Sequence, residues 1–197
     1  VRDAIRDHRD VALWIWTHAQ VIVDPDQAIA GLKSAIRAYP RDVLERKIKA
    51  HFLRDFDLSV HGITYRPGSQ NLFSVVHALG AKVAEYCRMC CLLDGQPYPY
   101  DKWLLRACEE THLGKRVAPI LRRVLATLTH LDNDLEQSWP AVRRTIDALD
   151  TEACEILEEA MVTWGIDRAW IDNAYHLLDD TLYGSLGREE ASSQPLG

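Results

Sequence analysis

Residues 71–106, NLFSVVHALGAKVAEYCRMCCLLDGQPYPYDKWLLR, decide how the chain folds. Leu72, Val75, Val76, Leu79, Val83, Tyr86, Cys87 and Cys90 recur at three- and four-residue steps. That period lays an apolar stripe along one side of a helix and predicts a long buried helix. The stripe stops at Asp94-Gly95. Gly95 suits a helix C-terminus, and Pro97 and Pro99 forbid continuation. A second helix is expected from about Asp101. Between the two lies an aromatic, charged corner, Tyr98-Pro99-Tyr100-Asp101-Lys102-Trp103. Such a corner is expensive as mere packing, so function, where this chain carries it, is expected there.

Working outward, the chain on both sides reads as helical. Asp24 is placed to cap a helix with Pro25 at its first position, and Ile29, Leu32, Ile36 and Tyr39 line one face until Pro40. A helix after Pro40 turns Val43, Leu44, Ile48, Phe52 and Phe56 inward and a basic face (Arg41, Arg46, Lys47, Lys49 and Arg54) outward. Residues 61–70, with Gly62, Pro67 and Gly68, read as a loop. Downstream, residues 117–128 and 142–149 are amphipathic. Thr151 is placed to cap a helix reaching Trp164 and ending at Gly165, and Asp167 to cap a last one reaching about Tyr183. Residues 185–197 are poor in apolar side chains, and disorder is expected.

Gln20-Val21-Ile22-Val23 breaks the pattern. Its β-branched residues end at Asp24-Pro25, which predicts a short strand closed by a turn. A lone strand cannot satisfy its backbone groups, so its partner is expected outside the chain. The fold class is therefore all-α: an antiparallel helical bundle over residues 25–184, with a short β-strand remnant near the N-terminus.

Composition narrows the function classes. The chain has 197 residues, 47% of them hydrophobic, and a formal net charge of -6. The acidic balance argues against a protein built to coat nucleic acid. No apolar run is long enough to span a bilayer, and no signal-peptide layout opens the chain. Five cysteines, three of them at Cys87, Cys90 and Cys91, do not form a disulfide framework, which points to the reducing cytoplasm.

The chemical constellations are few. Cys87 and Cys90 have zinc half-site spacing, but no second pair completes four ligands, and both fall on the apolar stripe. Arg46…His51 has the Arg-x4-His spacing that resembles helical HEPN-type ribonucleases. Arg106…His112 and Arg123…His130 come close to the same pattern, which shows how easily it arises. Asp132 and Asp134 read as turn caps, and the adjacent Asp179 and Asp180 do not share a helix face. Lys82, mid-helix, and Lys102, at the start of the next helix, are candidates to approach one cleft edge. Compact ammonium groups suit phosphate oxygens, and Tyr98, Tyr100 and Trp103 suit stacking or shaping the cleft.

The order Val-Ile-Val-Asp-Pro, Tyr39-Pro40-Arg-Asp-Val43, a long helix and then Tyr98-Pro-Tyr-Asp-Lys-Trp103 resembles the helical C-terminal half of bacterial nucleotidyltransferases. These include proteins related to the aminoglycoside adenylyltransferases. The resemblance runs over residues 11–128. It implies transfer of a nucleoside monophosphate from a nucleotide triphosphate to a hydroxyl of a small-molecule acceptor. It assigns Lys82, Lys102, Tyr98, Tyr100, Trp103 and Arg66 to substrate and phosphate binding. It also assigns Mg2+ to the carboxylates of an N-terminal nucleotidyltransferase domain. The chain departs from that pattern: no Gly-Ser followed by Asp-x-Asp occurs, and Arg66-Pro-Gly-Ser69 lacks the family's acid. Either the upstream catalytic domain has been cut off or the chain is a degenerate homologue. The lone strand favours the first, so residues 1–24 are read as the tail of a truncated α/β nucleotidyltransferase domain, and the chain alone is expected to be inactive. Two other readings stand beside this one: a HEPN-like ribonuclease or toxin component working through His51, and a non-catalytic helical interaction module.

Overall fold

The structure, a computed structural model, describes residues 2–7, 9–37, 40–57, 72–131 and 135–174. Among them every regular element is helical. In chain order these are α1 (Arg2–Arg6), α2 (Asp10–His18), α3 (Ala28–Arg37), α4 (Arg41–Asp57), α5 (Leu72–Leu93), α6 (Asp101–Glu110) and α7 (Gly114–Leu128), followed by α8 (Leu135–Ala148), a π-helical turn (Leu149–Ala153), α9 (Cys154–Trp164) and α10 (Arg168–Asp172). The expected loop at 61–70, Phe56's side chain, Tyr39, Arg66, Asp132, Asp134, Asp179, Asp180 and the tail from 185 lie outside the described residues. No helix among them is long and apolar enough to cross a membrane.

The quoted stretch forms the centre. α5 packs against α4, α6, α7 and α9. Its stripe of Val75, Leu79, Val83, Tyr86, Cys87 and Cys90 is buried, and it meets Ile48 and Phe52 of α4, Leu104 and Cys108 of α6, and Val117, Leu121 and Val124 of α7 in one core. Fully burying a side chain such as Val75, Leu79 or Val83 stabilises the fold by ~1.5–3 kcal/mol. A smaller core of Ala4, Leu13 and Ile36 joins α1, α2 and α3. That cluster straddles the border expected at residue 24. Lys47 of α4 pairs with the buried Asp10 of α2 and ties the two parts together.

The expected strand at 20–23 is an irregular connection instead. Ile22 is 90% exposed and Val23 75% exposed, and no strand exists among the described residues for them to join. β-branched side chains favour a pleated, half-buried surface; without that surface, propensity alone makes no strand. Asp24 does cap α3, although Pro25 and Asp26 form a turn first: its carboxylate accepts from the amides of Ile29 (3.2 Å) and Ala30 (2.9 Å).

Thr151 is not a cap either. The chain runs from α8 into α9 without a break, and Thr151 lies in the intervening π turn, its hydroxyl donating to the Asp147 carbonyl at 2.5 Å. Gly165 ends α9 in the left-handed region (φ 110°), as a helix C-terminus favours. The preceding carbonyl, of Trp164, accepts from Arg41 at 2.9 Å, and the guanidinium lies over the Trp164 ring. Asp167 caps α10 through the Ala169 amide at 2.9 Å.

Candidate functional site

The corner after α5 is built from its glycine outward. Gly95 adopts φ 73°, which lets its amide reach the Leu92 carbonyl (2.9 Å) and that of Gln96 reach Cys91 (2.9 Å). These paired bonds close the helix end and turn the chain back. Pro97 and Pro99 are buried, and α6 starts at Asp101. Asp101 accepts from Arg88 of α5 at 2.7 Å, which fixes the angle between the two helices at the corner.

Tyr98 points inward. Its hydroxyl lies 3.2 Å from His51 Nε2, and the other ring nitrogen, Nδ1, pairs with Glu85. Nδ1–H donates to Glu85; Nε2 accepts from the Tyr98 hydroxyl when the ring is neutral and donates to the phenol oxygen when it is charged. The second oxygen of Glu85 takes Arg88 at 2.7 Å and faces Arg54 at 3.6 Å. Burial by itself raises the Glu85 carboxyl, yet the hydrogen bond and charge of His51, then Arg88 and Arg54, hold it below the usual carboxylate range. Burial, reinforced by Asp10, pushes the Tyr98 phenol up to about 12. Tyr98 is therefore neutral, and its place is to pin the corner to α4.

The other corner residues face outward. Tyr100 is 57% exposed and Trp103 43% exposed. Lys102 Nζ sits 5.6 Å from the centre of the Trp103 ring. Trp103 borders a pocket of about 340 Å³ between α2 and α6, lined by Trp14, His18, Trp103, Arg106, Ala107 and Glu110. On α2, Trp14 and His18 stack with ring centres 4.1 Å apart and planes 23° from parallel. On α6, Arg106 and Glu110 face each other at 3.4 Å. A larger groove of about 510 Å³ lies along α5 and α6, its lining dominated by apolar residues such as Val76, Ala84, Leu104 and Leu105. The smaller pocket combines aromatic walls with convergent polar groups, the mixture that holds and orients a small ligand.

Lys82 is elsewhere. It is fully buried, 2.9 Å from Asp55 of α4 and 3.0 Å from Asp150 of the π turn. Burial lowers the ammonium's pKa, but the two carboxylates raise it above its ordinary value. For Asp55 the balance goes the other way: burial carries it up to about 6 against the pull of Lys82. The two directions agree once the partners are counted, since Lys82 faces two carboxylates and Asp55 lies deeper than Asp150. The Lys82 ammonium and Asp55 are held within the core, and Asp150 reaches them from an exposed position on the π turn. Lys82 and Lys102 therefore do not share a cleft edge. The lysine spacing carried no information about what α4 and the π turn place opposite Lys82.

The remaining motifs resolve along similar lines. His51 is buried against Glu85, whereas Arg46 is exposed and faces Asp42 at 3.7 Å. The two do not converge on an RNA-cleaving site. Cys87, Cys90 and Cys91 are buried thiols of the core, joined by Cys108 from α6. Hydrogen bonding to Cys108, then burial, raises the Cys87 and Cys90 thiols, which keeps them neutral. Among the described residues no three His, Cys, Asp or Glu side chains gather to hold a metal ion.

Sequence reasoning missed Trp14, His18, Arg106 and Glu110. The signal for α6 was present: positions 103, 106, 107 and 110 share one helix face. Trp14 and His18 are likewise four residues apart, but inside an apolar run that reads first as core.

A family model matches this chain. It is described as "Domain of unknown function (DUF4037)" and covers residues 7–104, just under half of the length. The matched span takes in α2, the whole corner and Trp103. No curated protein and no solved structure matches the chain.

Proposed function

We propose that this chain is the substrate- and phosphate-holding helical part of a nucleotidyltransferase, which moves a nucleoside monophosphate from a nucleotide triphosphate to an acceptor hydroxyl. The observation that carries the reading is the corner itself: Tyr100, Lys102 and Trp103 are exposed together at the first turn of α6, beside a pocket with polar and aromatic walls. The sequence resemblance centres on the same residues.

In this reading Lys102 neutralises charge on the triphosphate oxygens, a task that a mobile ammonium at a solvent-facing edge performs well. The Tyr100 hydroxyl donates to the same anion. Tyr98 and Arg88 keep the corner at a fixed angle, through His51 and Asp101 respectively. Lys82 has no part in binding, because its charge is consumed within the core. The resemblance assigns magnesium to an N-terminal domain, and among the described residues no three His, Cys, Asp or Glu side chains gather to hold it.

The reading is tested by titrating the full chain with inorganic tripolyphosphate and with ATP in a calorimeter. Lys102→Ala is expected to weaken tripolyphosphate binding about tenfold or more, the size of one lost charge-assisted hydrogen bond. Unchanged affinity in that variant, or a folded wild-type chain that binds neither compound, overturns it.

A further inference from the structure

We propose that the pocket between α2 and α6 is a stacking site for a planar heteroaromatic ring. Within the function proposed above, on which this inference rests, the ring is the base of the nucleotide triphosphate.

The first wall is a prearranged flat surface. Trp14 and His18 stack at 4.1 Å, and the His18 ring is held in place: its Nδ1 lies 2.9 Å from the Trp14 carbonyl and 3.0 Å from the Thr17 hydroxyl. That hydroxyl in turn donates to the Trp14 carbonyl at 2.8 Å. A wall fixed this way loses little side-chain entropy when a ring lies on it. The second wall is Trp103, on another helix.

Ala107 also lines the pocket, one turn beyond Trp103 on the same helix face. A larger residue there would fill the space; alanine leaves it open. At about 340 Å³ the pocket lies near the lower end of the ~300–1,000 Å³ typical of small-molecule sites. Its rim supplies complementary polar groups, Arg106 as donor and Glu110 as acceptor, to the edge of a ring that has both kinds of group. Lys102 stands beside Trp103, so the ring and the phosphates of one ligand fall to adjacent residues. Stacking accepts any base with an open face, so the pocket is expected to bind purines without sharp discrimination among them.

The experiment titrates the full chain with adenosine, ATP and inorganic tripolyphosphate, read by tryptophan fluorescence and calorimetry, with circular dichroism as the folding control. Adenosine is expected to bind. Trp103→Ala and Ala107→Met are expected to weaken adenosine and ATP about tenfold or more while leaving tripolyphosphate affinity unchanged. Trp103→Phe, which keeps a ring, is expected to restore most of the loss. A folded Ala107→Met chain with wild-type adenosine affinity sinks the proposal. So does tripolyphosphate binding without adenosine binding, a result that leaves the triphosphate reading intact. If neither compound binds, both readings fall together.

Discussion

Lys82 and Lys102 have the same side chain in opposite settings. Lys82, in the middle of α5, is fully buried between Asp55 and Asp150, while Lys102, at the head of α6, is exposed beside Trp103. One holds three helical segments together; the other is free to meet a ligand. Whether a lysine serves the fold or a substrate is decided by the groups its neighbouring helices bring to it.

The largest expected effect breaks the comparison at Lys82. Lys82→Ala leaves Asp55 buried without its cation and opens a cavity, which costs about 3–5 kcal/mol of unfolding free energy in urea titration. Replacing both charges, as in Lys82→Met with Asp55→Leu, is expected to recover much of that loss. A Lys82→Ala chain of near-normal stability that no longer binds tripolyphosphate would reverse the roles assigned to the two lysines.

A second, smaller effect appears with pH. The Asp55 carboxyl is raised to about 6 in the fold, above its ordinary value of 3.8. A raised carboxyl contributes stability below its unfolded value, and that contribution is lost as pH rises through the folded one. Glu85, held below its ordinary range, does the reverse: its contribution is present above the ordinary glutamate value and lost as pH falls. Asp55→Asn removes the first term and leaves the second. The stability of wild type relative to Asp55→Asn is therefore expected to fall by on the order of 2–3 kcal/mol between about pH 4 and 6. A pH-independent difference between the two proteins would place Asp55 in a wetter site than the structure gives it.

The smallest effect sharpens the comparison. Lys102→Ala is expected to change unfolding free energy by no more than about 0.5 kcal/mol, the usual range for a surface position, while it weakens the phosphate ligand. Loss of both stability and binding would make Lys102 a structural residue.

Much of the bundle was legible from the sequence. The stripe on α5, the stop at Gly95 and the start of α6 at Asp101 all follow from spacing and from glycine and proline chemistry. What periodicity cannot state is the partner of a given face. Asp55 and Asp150 come from distant parts of the chain, so Lys82 read as a candidate for a cleft edge although it lies within the core. The segment at 20–23 failed for a related reason, since β-branched residues describe a surface they need and do not supply. Of the candidate site, Tyr100, Lys102 and Trp103 stood out by their chemistry, and Tyr98 by chemistry that the structure assigns to support. The α2 wall was hidden because Trp14 sits among apolar neighbours in the sequence.

The π turn explains a pattern that runs through the last third of the bundle. Leu149, Ala153, Leu157 and Met161 are all buried and follow one another at steps of four. An ordinary helix advances roughly 100° per residue, so three such steps would rotate the stripe roughly 120° off the core. The extra residue accommodated at Leu149–Ala153, where the Cys154 amide reaches back five positions to Leu149, absorbs most of that drift. The segment therefore tolerates a change of length in one direction: dropping one residue within Leu149–Ala153 would let the turn close as ordinary helix with Leu157 and Met161 still facing the core, whereas adding one would swing both out of phase.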